Sequence, residues 1–520
     1  MAGNKDFFEI EIDPIYLDDS QVIHEKLFQK YRNKLPPKSS LLLVRRSIDA
    51  RGKLPKYVLR YQSKIQTIPD SGINGFHLKV PQQTVHIIGA GPAGYFAALQ
   101  LLSHGIKPVI LERGKDVQLR RRDLRAIMQE SVVNPDSNYC FGEGGAGTYS
   151  DGKLYTRSGK RGNIMQILQT FCDHGASDDI IIDANPHIGT NKLPAIIANI
   201  RNTIESNGGE VHFETKLISL KISNDQITEL ITADGNRFPC EQLILATGHS
   251  AREIFQLLSD NKIHIEAKPF AMGCRIEHPQ RLIDTMQYHC STRPPNLPAA
   301  AYSTVSQVDD HGVFSFCMCP GGMIVPAATA PGEIVVNGMS PSRRDSPFAN
   351  SGFVTTIELA DIPAHYGSSA LRAMYFQKDA EQQMYAYGDG TQQAPAMRIK
   401  DFISRKMSTS LPNSSYVPGI YAADMHKVLP SQVADRLKSG LKIAAQRMKS
   451  LLSEEGIIMG LESRTSSPVR IPRSTSSLHH PMIKNLFPCG EGAGYAGGIV
   501  SAAIDGVNVA NAVNAKINTH

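Results

Sequence analysis

The sequence predicts an α/β fold, in which a mixed α+β domain is inserted into a Rossmann-type βαβ domain and a small βαββ domain precedes both. Three observations lead to this prediction. Glycines follow an apolar strand at Gly89 with the spacing of a nucleotide-binding turn. Two later segments, near residues 243–248 and 486–492, again end an apolar run on glycine. Between them, residues 251–411 carry many glycines, prolines and short strand-like runs, which indicates a separate domain.

Size and composition agree with several structural units. A chain of 520 residues is too long for one core. With 41% hydrophobic and 20% charged residues it is neither disordered nor fibrous in composition. The net charge of +6 is not gathered into a long basic stripe, so no nucleic-acid partner is expected. Eight scattered cysteines and an N-terminus without a basic, then apolar, leader predict a reducing compartment, the cytoplasm.

Residues 1–80 are predicted to form the small α+β domain. Its strand, helix, strand, strand order follows from the runs FFEIEID, SQVIHEKLFQKYR, SLLLVRRSI and YVLRYQS. The segment 67–83 is rich in glycine, proline and polar residues, and we expect it to link this domain to the next.

The first βαβ unit follows in residues 81–250. Its strand TVHIIGA leads through Gly89, Gly91 and Gly94 into the helix AGYFAALQLLSHG. These glycines suit a tight turn, close approach of backbone to a pyrophosphate, and close packing of helix on strand. The helix N-terminus offers unpaired N–H groups to phosphate. The same glycines and Pro92 would break a membrane-spanning helix, so no membrane segment is expected here.

Glu112 strengthens this interpretation. It ends the second strand 23 residues after Gly89, near the spacing at which an acidic side chain accepts hydrogen bonds from an adenosine ribose. The alternative is a glycine turn of purely structural use. The nearby cluster Arg120, Arg121, Arg122 and Arg125 is expected to be a solvated helix face, with contact to a cofactor phosphate as the alternative. The predicted cofactor residues in this unit are Gly89, Gly91, Pro92, Ala93, Gly94, Glu112 and Arg113.

FAD rather than NAD is favoured by the two later segments, because a Rossmann dehydrogenase has no reason to return to the same cofactor. LILATGHS contains Thr247 and Gly248, and LFPCGEGAG contains Glu491. Gly494, Gly497 and Gly498 leave room for a flat ring, and a helix N-terminus there would stabilise negative charge on a reduced flavin. A second nucleotide site at GEGAGYAG is the alternative, and the short segment after it leaves no room for another βαβ unit.

Both segments resemble the later fingerprints of the glutathione reductase superfamily, with Glu491 where an aspartate is usual. The motifs FGEGGAGTYSDGKL, KPFAMGCRIEHPQ, ESRTSSPVRIPR and GEGAGYAGGIVSAAIDG look like a family of bacterial FAD-dependent dehydrogenases once labelled NAD-utilising. This resemblance implies a Rossmann-type FAD-binding domain with an inserted substrate domain. It also implies that FAD contacts Gly142, Gly144, Gly145, Gly147, Leu217, Ala246, Thr247, Gly248, Gly490, Glu491, Gly492, Gly498 and Ile499. Residues 1–80 are expected to form the small N-terminal domain, and residues 251–411 the inserted substrate domain. Residues 81–250 and 412–520 are expected to form the two parts of the FAD-binding domain.

Cys317 and Cys319 in SFCMCPGG are the first catalytic candidates. They could form a redox dithiol beside the flavin. On a regular strand, however, their Cα atoms would lie about 6–7 Å apart, beyond the usual range for a relaxed disulfide. The favoured expectation is therefore a pair of small buried apolar side chains.

Arg275 and His278 in GCRIEHPQ, and Lys153, are the other candidates. Arg275 could hold a substrate anion while His278 exchanges a proton with the substrate. An internal ion pair and a structurally satisfied histidine are the equal alternative. Lys153 could face the flavin ring or pin the glycine-rich loop. Metal binding is not expected, because the chain has no CxxC pair and no HExxH motif.

The expected activity is that of an FAD-dependent oxidoreductase, a dehydrogenase or reductase. A hydride would move between a small organic substrate and the flavin, with NAD(P)H as a candidate co-substrate. Two alternatives stay open at this point: a flavin-dependent RNA-modifying protein, and a flavin-binding protein without turnover.

Overall fold

The structure, a computed structural model, describes residues 7–37, 40–63, 83–156 and 158–519. The first unit contains β1 (Phe7–Ile12), α1 (Ser20–Tyr31), β2 (Leu42–Asp49) and β3 (Lys56–Gln62). Its strands form an antiparallel sheet of order β1-β3-β2. Strand, helix, strand and strand thus follow one another in the predicted order. Most of the expected linker, residues 67–83, lies outside the described residues.

This N-terminal unit is fixed to the rest of the chain by packing and by polar contacts. Alternate side chains of β1 are buried, as expected of a strand with one face on a core, and they join the core of the second domain described below. The Tyr57 hydroxyl donates to the Asn296 carbonyl over 2.8 Å. Arg46 pairs with Asp179 and Asp183, which belong to the first domain.

The first domain is built on a parallel sheet. Its elements up to residue 260 are β4 (Thr84–Ile88), α2 (Pro92–Ser103), β5 (Lys107–Leu111), α3 (Val117–Glu130), α4 (Ile164–Asp173), α5 (Asp179–Ile182), α6 (Leu193–Ser206), β6 (Glu210–His212), β7 (Leu217–Ser223), β8 (Gln226–Thr232), β9 (Arg237–Pro239), β10 (Leu243–Leu245) and α7 (Arg252–Asp260). β4 lies between β5 and β10, and β6 pairs with the far side of β5. β4 is apolar because both faces of the sheet are covered, one by helices and the other by β7, β8 and α7.

The run VHFETKLISLKI, which by its apolar residues alone would be a single strand, forms two strands in different sheets. β6 completes an edge of the parallel sheet, whereas β7, β8 and β9 form a separate antiparallel sheet. The chain turns between them at Glu214, which has a φ of +54°. The turn is held by hydrogen bonds from the Glu214 and Thr215 amides to the carbonyls of Gly114 and Glu112.

The second domain contains a seven-stranded sheet of order β13-β14-β17-β12-β20-β18-β19. The elements from residue 266 onward are β11 (Glu266–Ala267), β12 (Phe270–Pro279), α8 (Gln280–Tyr288), β13 (Val305–Val308), β14 (His311–Cys319), β15 (Met323–Pro326), β16 (Val336–Met339), β17 (Phe348–Ile357), α9 (Arg372–Ala386), β18 (Ala394–Arg398), α10 (Ile399–Ser404), β19 (Ile420–Ala422), α11 (Met425–Val428), α12 (Ser431–Arg447), β20 (Ile457–Glu462), β21 (Val469–Arg470), β22 (Leu486–Pro488) and α13 (Ile499–Ile517).

This second sheet continues past residue 411, where the composition of the sequence places the end of the insert. β19 pairs with β18, and β20 pairs with both β18 and the central strand β12. The chain returns to the first sheet at β22, which pairs in parallel with β10. α13 then packs against α2 in the core of the first domain. The first domain is therefore assembled from two segments that flank the second domain.

Candidate cofactor site

A cavity of about 380 Å³ opens at the carboxyl ends of the parallel strands. Residues that follow β4, β5, β10 and β22 line it, among them Gly89, Glu112, Thr247 and Glu491. In an open α/β sheet, ligands bind at this edge because the loops after the strands and the helix N-termini converge there. The cavity also reaches the second domain, where Cys317 forms part of its wall.

The turn between β4 and α2 separates glycines that face the cavity from glycines that pack within the protein. Gly89 has a φ of +105°, which suits a turn that only glycine makes without strain. A Cβ on Gly94 would lie 2.0 Å from the Gly89 carbonyl oxygen, so this position has no room for a side chain. A Cβ on Gly91 would meet no protein atom within 4 Å, and Gly91 lines the cavity. Gly91 thus leaves open space next to the N-terminus of α2.

The Glu112 carboxylate joins three backbone segments at this edge. Its Oε2 accepts from the Ala90 amide over 2.9 Å, and its Oε1 accepts from the Gly114 and Gly142 amides over 2.9 and 3.0 Å. A carboxylate has about four acceptor positions. Three are used within the protein, and Glu112 also lines the cavity, which leaves one for a hydroxyl of a bound ribose.

Arg120 holds the glycine-rich loop from inside. Its guanidinium is fully buried and donates to the carbonyls of Asn138, Glu143 and Gly145 over 2.8, 2.8 and 2.9 Å. The expectation of a solvated face, and the alternative of phosphate contact, are therefore both wrong for this arginine. The reason is that a loop with several inward carbonyls needs donors, and the planar guanidinium supplies five N–H groups.

The last segment of the first domain forms the other side of the cavity. The Gly490 amide donates to Asp505 over 2.7 Å, and Asp505 pairs with Arg473 over 2.6 Å. A Cβ on Gly492 would lie 2.2 Å from the Gly248 carbonyl oxygen, so the turns after β22 and β10 pack tightly together. Gly498, at the start of α13, has no protein atom near its missing Cβ and lines the cavity.

The predicted cofactor residues divide into two groups. Those that line the cavity are Gly89, Gly91, Pro92, Ala93, Glu112, Arg113, Gly145, Gly147, Leu217, Ala246, Thr247, Gly248, Glu491, Gly498 and Ile499. Gly94, Gly142, Gly144, Gly490 and Gly492 are not among the lining residues and shape the turns behind it. A helix N-terminus, a carboxylate with a free acceptor position and glycine-lined space together fit the phosphates, the ribose and the flat ring of FAD.

Among the catalytic candidates, Lys153 lines the cavity, and its Nζ donates to the Met318 carbonyl. Arg275 is fully buried and forms an ion pair with Glu462 at 2.7 Å. This is the internal ion pair that was the alternative to binding a substrate anion. His278 is also fully buried, with its Nε2 3.1 Å from the Leu451 carbonyl oxygen. Neither Arg275 nor His278 is among the lining residues, and the geometry gives no support to substrate binding or proton exchange by these side chains.

The expectation for Cys317 and Cys319 rests on a regular strand, and β14 is not regular there. The pairing of β14 with β17 shifts register between Phe316 and Cys319, and Cys317 has a φ of +43°. Cys317 lines the cavity, whereas Cys319 is buried behind it. The spacing of about 6–7 Å expected for alternate residues of a strand therefore does not apply.

Further residues line the cavity that sequence reasoning did not assign: His249, Ser250, Asn337, Arg464 and Thr465. They belong to the motifs ATGHS, VNGMS and ESRTSS, but nothing in those strings shows which side chains turn inward. Arg464 is buried against Glu381 and Glu333. Burial, with help from the positive charge of Arg464, lowers the pKa of His249 to about 4, so this imidazole is neutral at pH 7.

Glu491 gives the site a pH dependence. Burial raises the pKa of its carboxyl to about 7, against the opposing effect of the Lys268 ammonium. In an unfolded chain glutamate titrates near about 4.3, so the folded protein binds this proton more tightly. The contribution of Glu491 to the stability of the apoprotein should therefore fall as the pH rises from about 4 to about 7.

We expect Glu491→Gln to flatten part of this fall and to be more stable than the wild type above pH 7. Glu462, whose pKa burial also raises to about 7, contributes with the same sign in both proteins, and His249 contributes with the opposite sign in both. Urea unfolding of the apoproteins at several pH values measures this, with the exposed Glu241→Gln as the control. Identical slopes for wild type and Glu491→Gln would contradict the assignment.

Neither a metal-binding cluster nor a membrane-crossing helix is found in the part of the chain that the structure describes. No group of three or more His, Cys, Asp and Glu side chains could hold a metal ion among these residues. No helix among them is both long and apolar enough to cross a membrane.

Comparison with known families agrees with the cofactor that the cavity fits. Residues 82–130 match a family described as "FAD binding domain", which here covers β4, α2, β5 and α3. Residues 269–465 match a family described as "FAD-dependent protein, C-terminal domain-like". That match runs from the start of β12 to just beyond β20, and so coincides with the second sheet rather than ending at residue 411.

Solved structures show slight similarity. Glycine oxidase from Bacillus cereus is 14% identical, with 83% of this chain and 95% of that chain covered and a TM-score of 0.32. Glycine oxidase from Geobacillus kaustophilus is 12% identical, with 84% and 94% covered and a TM-score of 0.36. Scores this low support no conclusion about the activity of this chain.

One relative is much more similar in sequence. An uncharacterised protein of Clostridium beijerinckii is 38% identical over 523 residues, which cover 96% of this chain and 97% of that protein. Similarity of this degree over the whole length shows common family membership. The chain therefore belongs to the same family as the clostridial protein, a family of FAD-dependent proteins, and FAD is its cofactor.

Proposed function

We propose that the chain is an FAD-dependent oxidoreductase of the glutathione reductase superfamily that moves a hydride between a small organic substrate and the flavin. One observation carries the proposal. Both domains line the same cavity. The turn between β4 and α2 forms one part of its wall, and Phe316, Cys317 and Asn337 of the second domain form another. FAD supplies the hydride chemistry when it is bound. The second domain would supply the wall that faces a substrate.

The strand order supports an orientation for the bound cofactor. β5, which Glu112 directly follows, lies on one side of β4, and β10 and β22 lie on the other. If Glu112 accepts from the adenosine ribose, the rest of the cofactor extends past Gly91 towards Thr247 and Glu491. Cys317 of the second domain lines the same cavity, and its charge acts on Glu491.

Two side chains of the cavity wall can stabilise negative charge or transfer a proton. Lys153 places a cation in the cavity wall, where it would stabilise negative charge on a reduced ring or on an anionic substrate. The Glu491 carboxyl, with a pKa of about 7, is partly protonated and partly ionised near neutral pH. It can therefore give or accept a proton in this range.

NAD(P)H remains the candidate electron donor in this proposal. Outside the sheet that contains β4, the described residues contain one other parallel strand pair, β18 and β19, and no GxGxxG turn lies between these two strands. A nicotinamide would therefore dock transiently at the open side of the flavin rather than in a domain of its own.

Anaerobic mixing of the holoprotein with NADH, with NADPH and with panels of small organic donors tests the proposal. We expect at least one of them to bleach the visible band of the oxidised flavin. Lys153→Met should slow this reduction about tenfold without loss of bound FAD, and the exposed Lys262→Met is the matched control. A flavin that no donor reduces would instead indicate a binding protein without turnover.

A further inference from the structure

Cys317 and Cys319 lie at a distortion of β14. β14 pairs with β17 as far as Phe316, opposite Gly352, and pairs again at Cys319, opposite Asn350. Cys317, within the shift, has a φ of +43°, in the left-handed region that residues with side chains rarely adopt. Such strained positions persist only where the surroundings hold them, and they cluster at functional sites. The strain here falls on the residue that faces the cavity.

The distortion brings the Cys319 side chain back onto Cys317. The Cys319 thiol donates to the Cys317 carbonyl oxygen over 3.3 Å. Neither cysteine is part of a disulfide in the structure. Cys317 is half-buried and lines the cavity, whereas Cys319 is fully buried. One thiol therefore faces the cofactor space, and the other lies behind it within reach of the first.

Two cations hold this segment. Arg275 donates to the Cys317 carbonyl over 2.7 Å and to the Cys319 sulfur over 3.5 Å. Lys153 donates to the carbonyl of Met318, which lies between the cysteines. Positive charge close to a thiol favours the thiolate, the form that reacts in thiol chemistry. Arg275 thus acts on the site through Cys317, as a positioning residue, although it does not line the cavity.

The two thiols differ in acidity as a result. The hydrogen bond from Cys319 lowers the pKa of the Cys317 thiol well below its ordinary value, with help from the charges of Lys153 and Arg275 against the effect of burial. The same hydrogen bond, together with burial, raises the pKa of Cys319. The lowered pKa favours the thiolate of Cys317, and the raised pKa keeps the proton on Cys319. A thiolate in the cavity wall with a buried thiol behind it is the arrangement that thiol–disulfide exchange requires.

Cys317 and Glu491 both line the cavity. A thiolate at Cys317 adds to the rise in the pKa of the Glu491 carboxyl, because the two negative charges repel each other. Glu491 follows β22, on the opposite side of β4 from Glu112. With the adenosine at Glu112, the flavin ring would lie towards Cys317.

We propose that Cys317 and Cys319 form a redox-active dithiol–disulfide pair that exchanges two electrons with the FAD of this protein, with Cys317 facing the cofactor. In the forward step a sulfur–sulfur bond forms between the two cysteines and the S–H bond of Cys319 breaks. Two electrons and that proton pass to oxidised FAD. In the reverse step the disulfide takes up two electrons and a proton from reduced FAD, and the S–H bond of Cys319 forms again.

The first test counts electrons in the holoprotein. Air-oxidised wild type, Cys317→Ser and Cys319→Ala are titrated anaerobically with dithionite. The control is Cys172→Ser, on α4, which is not among the residues that line the cavity. Wild type and this control should take up about twice as many electrons per FAD as the other two variants, because a disulfide is a two-electron couple. Equal uptake per FAD in all four proteins would overturn the proposal.

The second test needs neither turnover nor FAD, and it uses the wild type. The apoprotein is oxidised with diamide, alkylated with iodoacetamide and digested without reduction. The peptide that contains Cys317 and Cys319 should be lighter by a pair of hydrogens and carry no alkyl group. Alkylation of both cysteines in this peptide would show that no disulfide forms between them and would overturn the proposal.

The dithiol proposal rests on FAD binding and not on the small substrate of the proposed function. If no donor reduces the flavin but wild type still takes up about twice the electrons of Cys317→Ser, the hydride proposal fails and the dithiol stands. If donors reduce the flavin and the uptake is equal in both proteins, the dithiol fails alone.

Discussion

Replacing Gly91 with alanine is expected to lower the affinity for FAD about 100-fold while leaving the apoprotein as stable as the wild type. A Cβ at this position would meet no protein atom within 4 Å, so the folded chain accommodates it. The same Cβ would occupy the space in which a pyrophosphate approaches the N-terminus of α2. Quenching of FAD fluorescence on titration with apoprotein gives the affinity, and urea unfolding gives the stability.

Gly94→Ala is the informative comparison for this experiment. Its Cβ would lie 2.0 Å from the Gly89 carbonyl oxygen, which is backbone and cannot rotate away. We expect the apoprotein itself to lose about 1–3 kcal/mol, as overpacked positions do, in addition to weaker binding of FAD. Unchanged FAD affinity in Gly91→Ala would contradict the placement of the pyrophosphate. Equal loss of stability in the two variants would contradict the division of roles between these glycines.

Glu112→Ala is expected to reduce both stability and FAD affinity. It would leave the amides of Ala90, Gly114 and Gly142 without their acceptor in a buried region. Each unsatisfied buried amide costs about 1–3 kcal/mol, so the apoprotein should lose about 3 kcal/mol or more. Loss of the ribose acceptor, and of the order in three loops, should weaken FAD binding at least about 100-fold.

Two further variants distinguish these effects of Glu112. Glu112→Gln keeps one oxygen, but its amide nitrogen cannot accept a hydrogen bond, so an intermediate loss of stability is expected. The exposed Glu241→Ala should change neither stability nor affinity. Thermal unfolding of the apoproteins and FAD titration check both. An apoprotein of Glu112→Ala as stable as the wild type would show that the carboxylate does not hold these loops.

The parts of the site that local sequence could predict are those set by chain geometry over short distances. A strand, a glycine turn and a helix have a fixed form because few backbone conformations join them, and Gly89, Gly91 and Glu112 fall where that form requires. The βαββ order of the N-terminal unit likewise follows from alternating apolar residues and turn signals.

The features that the sequence did not reveal depend on contacts between distant residues. Arg120 is buried because carbonyls near residue 140 need donors, and its arginine neighbours in sequence give no sign of this. The end of the second domain was placed at residue 411 because β20 carries no local mark of its pairing with β12. The bulge at Cys317 arises from the fit of β14 to β17, and periodicity alone predicts a regular strand there.

The division of the first sheet into two chain segments bears on how the protein is synthesised. β4 and β10 leave the ribosome well before β22, because the second domain is translated after β10 and before β22. Until β22 is synthesised, one edge of β10 has no neighbouring strand. Until α13 is synthesised, the apolar surface of α2 that it covers stays exposed. Unpaired strand edges and exposed apolar surface promote aggregation of nascent chains. We therefore expect the nascent chain to be prone to aggregation until α13 has docked, and FAD to bind only after that step.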